Sequence, residues 1–233
     1  MDIESFSKII ANAKAESREW LDLIESRNIL EKLGIPLNKS GVAKTLEQAL
    51  SVASEIGYPV AMKIISPDII HKTEVGGVAV NIRNNGEMKE YFNMMMEKIK
   101  HNLPTAKIIG VLIEEMISGP ELIIGTTTDQ LFGHMLMFGI GGVLVELYKD
   151  VAFRLIPITK IDAMEMMDEL RAKAILDGFR GSPRVDKEKL AGIMINISDA
   201  VVKLPEIVSL EVNPLVVTER GFMGLDARVI IRR

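Results

Sequence analysis

Three strand-like apolar runs, 122–127, 135–138 and 151–156, follow one another in this chain, with Gly133-His134 near the first joint and Gly139-Ile140-Gly141-Gly142 after the second run. Two helical segments, 161–176 and 186–204, come next, and the closing strands 207–212, 215–218 and 224–231 end the chain. Clustered strands with segregated helices favour an α+β architecture over one doubly wound sheet.

The first half repeats this grouping on a smaller scale. Thr45-Leu46-Glu47-Gln48 reads as a capping box opening a helix that stops at Gly57. A β-branched run at 60–65 follows, then a polar loop at 66–74, Gly76-Gly77 and an antiparallel partner at 78–82. Asn84-Asn85-Gly86 is a turn, 87–103 a helix and 108–116 a buried strand. Upstream, Trp20, Leu21, Leu23, Ile24, Ile29, Leu30 and Leu33 keep helical spacing until Gly34-Ile35-Pro36 ends it. The expected organisation is a helical appendage at 1–18, a first lobe at 19–115 and a second at 116–233.

Composition removes several functional classes. The charge-free stretch 131–145 is too short to span a bilayer, so no membrane role is expected. A net charge of -4, with three Tyr and one Trp, offers polyanions little attraction and bases few stacking platforms, so no nucleic-acid partner is expected. Cysteine is absent, which excludes disulfides, thiolate metal sites and cysteine nucleophiles. With acidic residues at Asp2 and Glu4 in place of a basic signal-peptide start, the expected location is the cytoplasm. P-loop, complete Rossmann, zincin and serine-hydrolase motifs do not occur.

What remains is polar chemistry at the ends of apolar strands. Lys63, inside Val60-Ala61-Met62-Lys63-Ile64-Ile65, must snorkel or meet an anion. A bound phosphate would satisfy it, and so would water on an edge strand. Arg154, inside Val151-Ala152-Phe153-Arg154-Leu155-Ile156, follows the same logic as a bidentate phosphate clamp. Glu211 and Asn213 alternate onto one side of a strand, and Asp226 adds a carboxylate from the next, a hard-oxygen set of the kind Mg²⁺ accepts. The bland reading is a polar hairpin in which Asn213-Pro214 starts a turn.

Glu114-Glu115-Met116 ends a strand where backbone groups and carboxylates are available to an adenine and a ribose, or where the chain simply turns acidic. Gly139, Gly141 and Gly142 admit an anion close to the backbone, or serve sterics alone. His71, in the loop His71-Lys72-Thr73-Glu74, is a competent nucleophile toward phosphorus, although an isolated loop histidine is commonly inert. His101 and His134 read as structural, and the methionine clusters 94–96 and 164–167 as core or interface filler.

Taken in order, V-A-M-K-I at 60–64, H-K-T-E-V-G-G-V at 71–78, E-E-M at 114–116, F-G-I-G-G-V-L-V-E at 138–146, K-D-V-A-F-R-L at 149–155 and E-V-N-P-L with L-D-A-R at 211–228 closely resemble the β subunit of ADP-forming acyl-CoA synthetase (acetate–CoA ligase, ADP-forming). The resemblance covers roughly residues 15–232 and is more distant for the succinyl-CoA synthetase β subunit. It implies an ATP-grasp fold of two α+β lobes with the nucleotide cleft between them.

Further implications come with it. Lys63, Glu114, Glu115, Met116, Glu121, Gly141 and Gly142 would bind ATP or ADP, Asn213 and Asp226 with Glu211 would hold Mg²⁺, and His71, Lys72 and Arg154 would serve catalysis. His71 matches a phosphohistidine that passes a phosphoryl group to ADP. The CoA site and a first phosphohistidine would belong to an α subunit, in an α₂β₂ assembly. Two other readings keep the fold: a non-catalytic regulatory nucleotide-binding module, and a carboxylate–amine ligase.

Overall fold

The computed structural model describes residues 3–69, 71–129, 131–142 and 150–232. Residues 143–149, which hold the end of the glycine motif and the start of the K-D-V-A-F-R-L motif, lie outside them. The chain divides into a smaller unit, 38–117, and a larger one that joins 1–37 to 118–233.

In the smaller unit β1 (Ser40–Ala43), β2 (Val60–Ile65), β3 (Val78–Ile82) and β4 (Gly110–Glu115) form an antiparallel sheet in the order β1-β4-β2-β3. Alternation along the central strands turns Val60, Met62, Ile64, Val111 and Ile113 into one core with Ala49 and Ala53 of α3 (Leu46–Ile56) and Met88, Phe92, Met95 and Ile99 of α4 (Asn85–Asn102). Both helices start where a side chain accepts a backbone N–H: Thr45 Oγ1 from Gln48 at 3.3 Å and Asn84 Oδ1 from Glu87 at 3.0 Å.

In the larger unit β5 (Glu121–Asp129), β6 (Gly133–Ile140), β7 (Val151–Leu155), β8 (Ile207–Thr218) and β10 (Ala227–Ile231) follow the order β10-β8-β5-β6-β7, and β9 (Gly221–Gly224) pairs with β8. One face of this sheet, with Ile124, Leu136, Phe138, Ala152, Leu210 and Val212, packs on α5 (Lys160–Glu169) and α6 (Lys187–Lys203).

The first 37 residues depart from the expected division. Phe6 and Ile10 of α1 (Ile3–Ala15), Ile29 and Leu30 of α2 (Leu23–Lys32), and Leu33 and Ile35 are buried in the core of the larger unit. Each such side chain gains about 1.5–3 kcal/mol by burial, so the segment follows the core that accepts its apolar face. Backbone bonds from Leu21 to Val229 O (3.0 Å) and from Ile231 to Glu19 O (2.8 Å) tie it to β10. Residues 19–37 therefore do not belong to the first lobe, and 1–18 is not an appendage. No helix among the described residues is long and apolar enough to cross a membrane.

Candidate functional site

β8 organises the acidic cluster. Leu210 and Val212 face the core, so Glu211 and Asn213 alternate onto the opposite face. Between the pairs Leu122–Leu215 and Ile124–Val212 the register with β5 slips by one residue, placing the irregularity at Asn213-Pro214. Proline is tolerated in a sheet at such a bulge. The slip returns Leu215 and Val217 to the core, so one 12-residue strand replaces the two segments and the turn read from sequence.

Asp226 lies between β9 and β10 beside this bulge, and its carbonyl accepts the Asn213 N–H at 3.1 Å. Asn213 Nδ2 donates to Glu211 Oε1 at 3.1 Å, which directs the amide oxygen away from Glu211 as a hard donor. Asp226 Oδ1 accepts the Ala227 N–H at 2.9 Å. The three expected metal ligands are thus neighbours. Among the described residues no group of three or more His, Cys, Asp and Glu forms a complete cage. Two carboxylates and an amide fit Mg²⁺, which takes few protein ligands and fills its octahedron with water and phosphate oxygens.

In the smaller unit Lys63 sits on central strand β2, not on an edge. Its Nζ lies 2.6 Å from Glu114 Oε1, with the side chains only 11 % and 4 % exposed. The pairs Lys63–Leu112 and Ala61–Glu114 make the two side chains diagonal neighbours on one face. The anion that Lys63 requires is therefore a protein carboxylate. The backbone of Glu115 is not available at this strand end: its N–H donates to Lys39 O and its C=O accepts Asn38 Nδ2, both at 2.8 Å. Met116 lies just past both ladders and is exposed.

Glu121, Gly141 and Gly142 are brought together. Gly141 N–H donates to Glu121 O at 2.6 Å, and a Cβ on Gly142, at φ +74°, would fall 2.7 Å from Glu121 Oε2. A Cβ on Gly141 would likewise fall 2.8 Å from Leu122 O, so both glycines meet a steric requirement, the second reading allowed by the sequence.

Arg154 departs from expectation. Cross-strand pairs put it opposite Leu136 and thus on the helix-covered face, whereas Glu211 pairs with Gly125 on the other. Its guanidinium bonds Glu169 of α5 through both terminal nitrogens and approaches Glu165 Oε2 at 3.4 Å. The hydrogen bond from Arg154 holds the Glu169 carboxyl below its ordinary range. Arg154 therefore pairs with α5, two carboxylates standing where the sequence reading sets a phosphate. The signal that would have revealed this is the i,i+4 spacing of Glu165 and Glu169 on one helix face.

His71 opens a loop anchored at its base. Ile69 is buried in the small core, Asp68 Oδ2 accepts the Lys107 N–H at 2.6 Å, and Gly77 O accepts the Ile64 N–H at 2.8 Å. Between these anchors Gly77 N–H donates to Lys72 O at 2.7 Å, and the His71 side chain is 59 % exposed. Sequence reasoning missed Glu74, whose Oε1 lies 3.7 Å from His71 Nδ1. Its position three residues on, across a turn, is the available signal.

Residues 12–231 match the ATP-grasp domain family. The β subunit of acetate–CoA ligase [ADP-forming] I from Pyrococcus furiosus is 44 % identical over 225 residues, which cover 96 % of this chain and 97 % of that one. Acetate–CoA ligase [ADP-forming] I of Archaeoglobus fulgidus is 39 % identical over 89 % of this chain, which spans only 30 % of that longer polypeptide. The dinucleotide-forming acetyl-coenzyme A synthetase 1 of Ca. Korarchaeum cryptofilum, in complex with coenzyme A and Ca-AMPCP, superposes with a TM-score of 0.88 at 39 % identity, covering 97 % of this chain and 99 % of that one. A second structure of that enzyme, with Mg-AMPPCP, has its phosphohistidine segment pointing towards the nucleotide-binding site and superposes with a TM-score of 0.81 at 36 % identity, covering 97 % and 100 %. With this fold and these likenesses along nearly its whole length, the chain belongs to the ATP-grasp family, among the β subunits of ADP-forming acetate–CoA ligases.

Proposed function

We propose that this chain is the nucleotide-binding subunit that receives a phosphoryl group on His71 and delivers it to ADP. The observation that carries the reading is an exposed imidazole on a loop fastened at both ends to the small unit, a carrier that can reach outward without detaching. Phosphoryl transfer needs near in-line contact, so a group made at one site and used at another must travel on a side chain that meets both.

Within this reading Lys63 exchanges Glu114 for a phosphate oxygen of the nucleotide, and Met116 with the neighbouring acidic strand end faces the adenosine. Lys72 screens the charge of the loaded loop. Asn213 and Asp226, with Glu211, hold Mg²⁺, which when bound supplies positive charge to the phosphate oxygens. A partner subunit carries the CoA site and the first phosphohistidine, in an α₂β₂ assembly. The much longer Archaeoglobus relative supports assigning those parts to other polypeptide.

In the complex reconstituted with its partner, His71→Ala should lower ATP formation from acetyl-CoA, ADP and phosphate by at least about 100-fold, the scale on which loss of a reacting group acts. Undiminished turnover in that variant overturns the reading.

A further inference from the structure

Resting on the reading of His71 as the carrier, we propose that Glu74 is its positioning residue: Glu74 holds the proton on Nδ1, so that Nε2 is the nitrogen bonded to phosphorus. His71 Nδ1 lies 3.7 Å from Glu74 Oε1. The turn between them closes on itself, with Gly76 N–H donating to Thr73 O at 3.1 Å and Gly77 N–H to Lys72 O at 2.7 Å. Both side chains are thus carried by one small framework. A charged neighbour is also at hand, since a Cβ on Gly76 would fall 2.8 Å from Lys98 Nζ.

A gap of 3.7 Å is longer than a hydrogen bond, and a neutral imidazole gains little from it. Loading the ring changes that balance. The Nε2 lone pair forms the N–P bond while the P–O bond of the donor breaks and its electron pair leaves on the donor oxygen. Nδ1 keeps its hydrogen, so the ring becomes a cation beside the Glu74 carboxylate. In delivery an ADP oxygen attacks phosphorus and the N–P pair returns to Nε2. The ring then leaves as neutral imidazole instead of the far more basic imidazolide. A carboxylate facing Nδ1 stabilises the cation that the phosphorylated ring becomes, in loading and in delivery alike, and leaves Nε2 as the open nucleophile.

The test uses the complex with its partner subunit, incubated with Mg²⁺ and ATP labelled on the γ-phosphate and quenched in alkali, with the two phosphohistidine isomers resolved by ³¹P NMR. The wild type should carry the Nε2 isomer alone. Glu74→Gln should load about threefold more slowly, the scale of an exposed charge pair, and show a fraction of the Nδ1 isomer. Glu74→Asp, which retains the carboxylate, should keep the Nε2 isomer. Label on Nδ1 in the wild type, or an unchanged isomer and rate in Glu74→Gln, overturns the role of Glu74 while leaving the carrier intact. Label that survives His71→Ala, or none in the wild type, overturns the carrier reading and this inference with it.

Discussion

Lys63 on β2 and Arg154 on β7 are each a single cation in an apolar strand, yet they occupy opposite kinds of place. Lys63 is in the centre of its sheet and nearly enclosed, with one carboxylate at 2.6 Å. Arg154 is on the last strand of its sheet, with a side chain 24 % exposed and acidic partners 59 % and 49 % exposed. A lone cation in an apolar run therefore announces a partner without saying which. The central position encloses its ion pair, and the edge position leaves a surface brace.

The contrast breaks most sharply at Lys63. Lys63→Met removes the cation 2.6 Å from the enclosed Glu114 carboxylate and should cost about 3–5 kcal/mol, measured as a shift of the urea midpoint at constant slope. Lys63→Met with Glu114→Leu should regain most of that loss, because two apolar side chains replace the pair without leaving a charge behind. If the single and double variants are equally unstable, the pair is not what Lys63 contributes.

Arg154→Ala should cost about 1 kcal/mol or less and lose that difference in high salt. Its smallest signature is in pH. Glu169 is held below its ordinary value of 4.5, so its contribution is complete above that value and disappears as pH falls through the depressed one. The stability gap between wild type and Arg154→Ala should close on acidification, and a gap that widens instead would remove Glu169 as the partner.

The same contrast marks what the residues reveal on their own. Grouped strands and helices, and the Glu211–Asn213 alternation, depend on local periodicity and are legible. The face of Arg154 depends on its register with β6, a long-range pairing that no local pattern encodes. β1 is only Ser40-Gly41-Val42-Ala43, with Val42 alone a strong strand former, and it is held by β4. Pro214 disguises β8 as two strands, since proline in a strand interior ordinarily argues against one. The apolar stripe of residues 19–37 predicts a helix but not which of two cores receives it.

The one-residue slip at Asn213-Pro214 has a consequence for how this stretch can vary. Upstream of the slip the even-numbered Leu210 and Val212 face the core, and downstream the odd-numbered Leu215 and Val217 do, the parity change being taken up by one extra residue at 213–214. Removing Pro214 would leave Leu215 and Val217 inward, in plain alternation with Val212, and would erase only the kink that sets Asn213 beside Asp226, so the extra residue serves the acidic cluster and not the core.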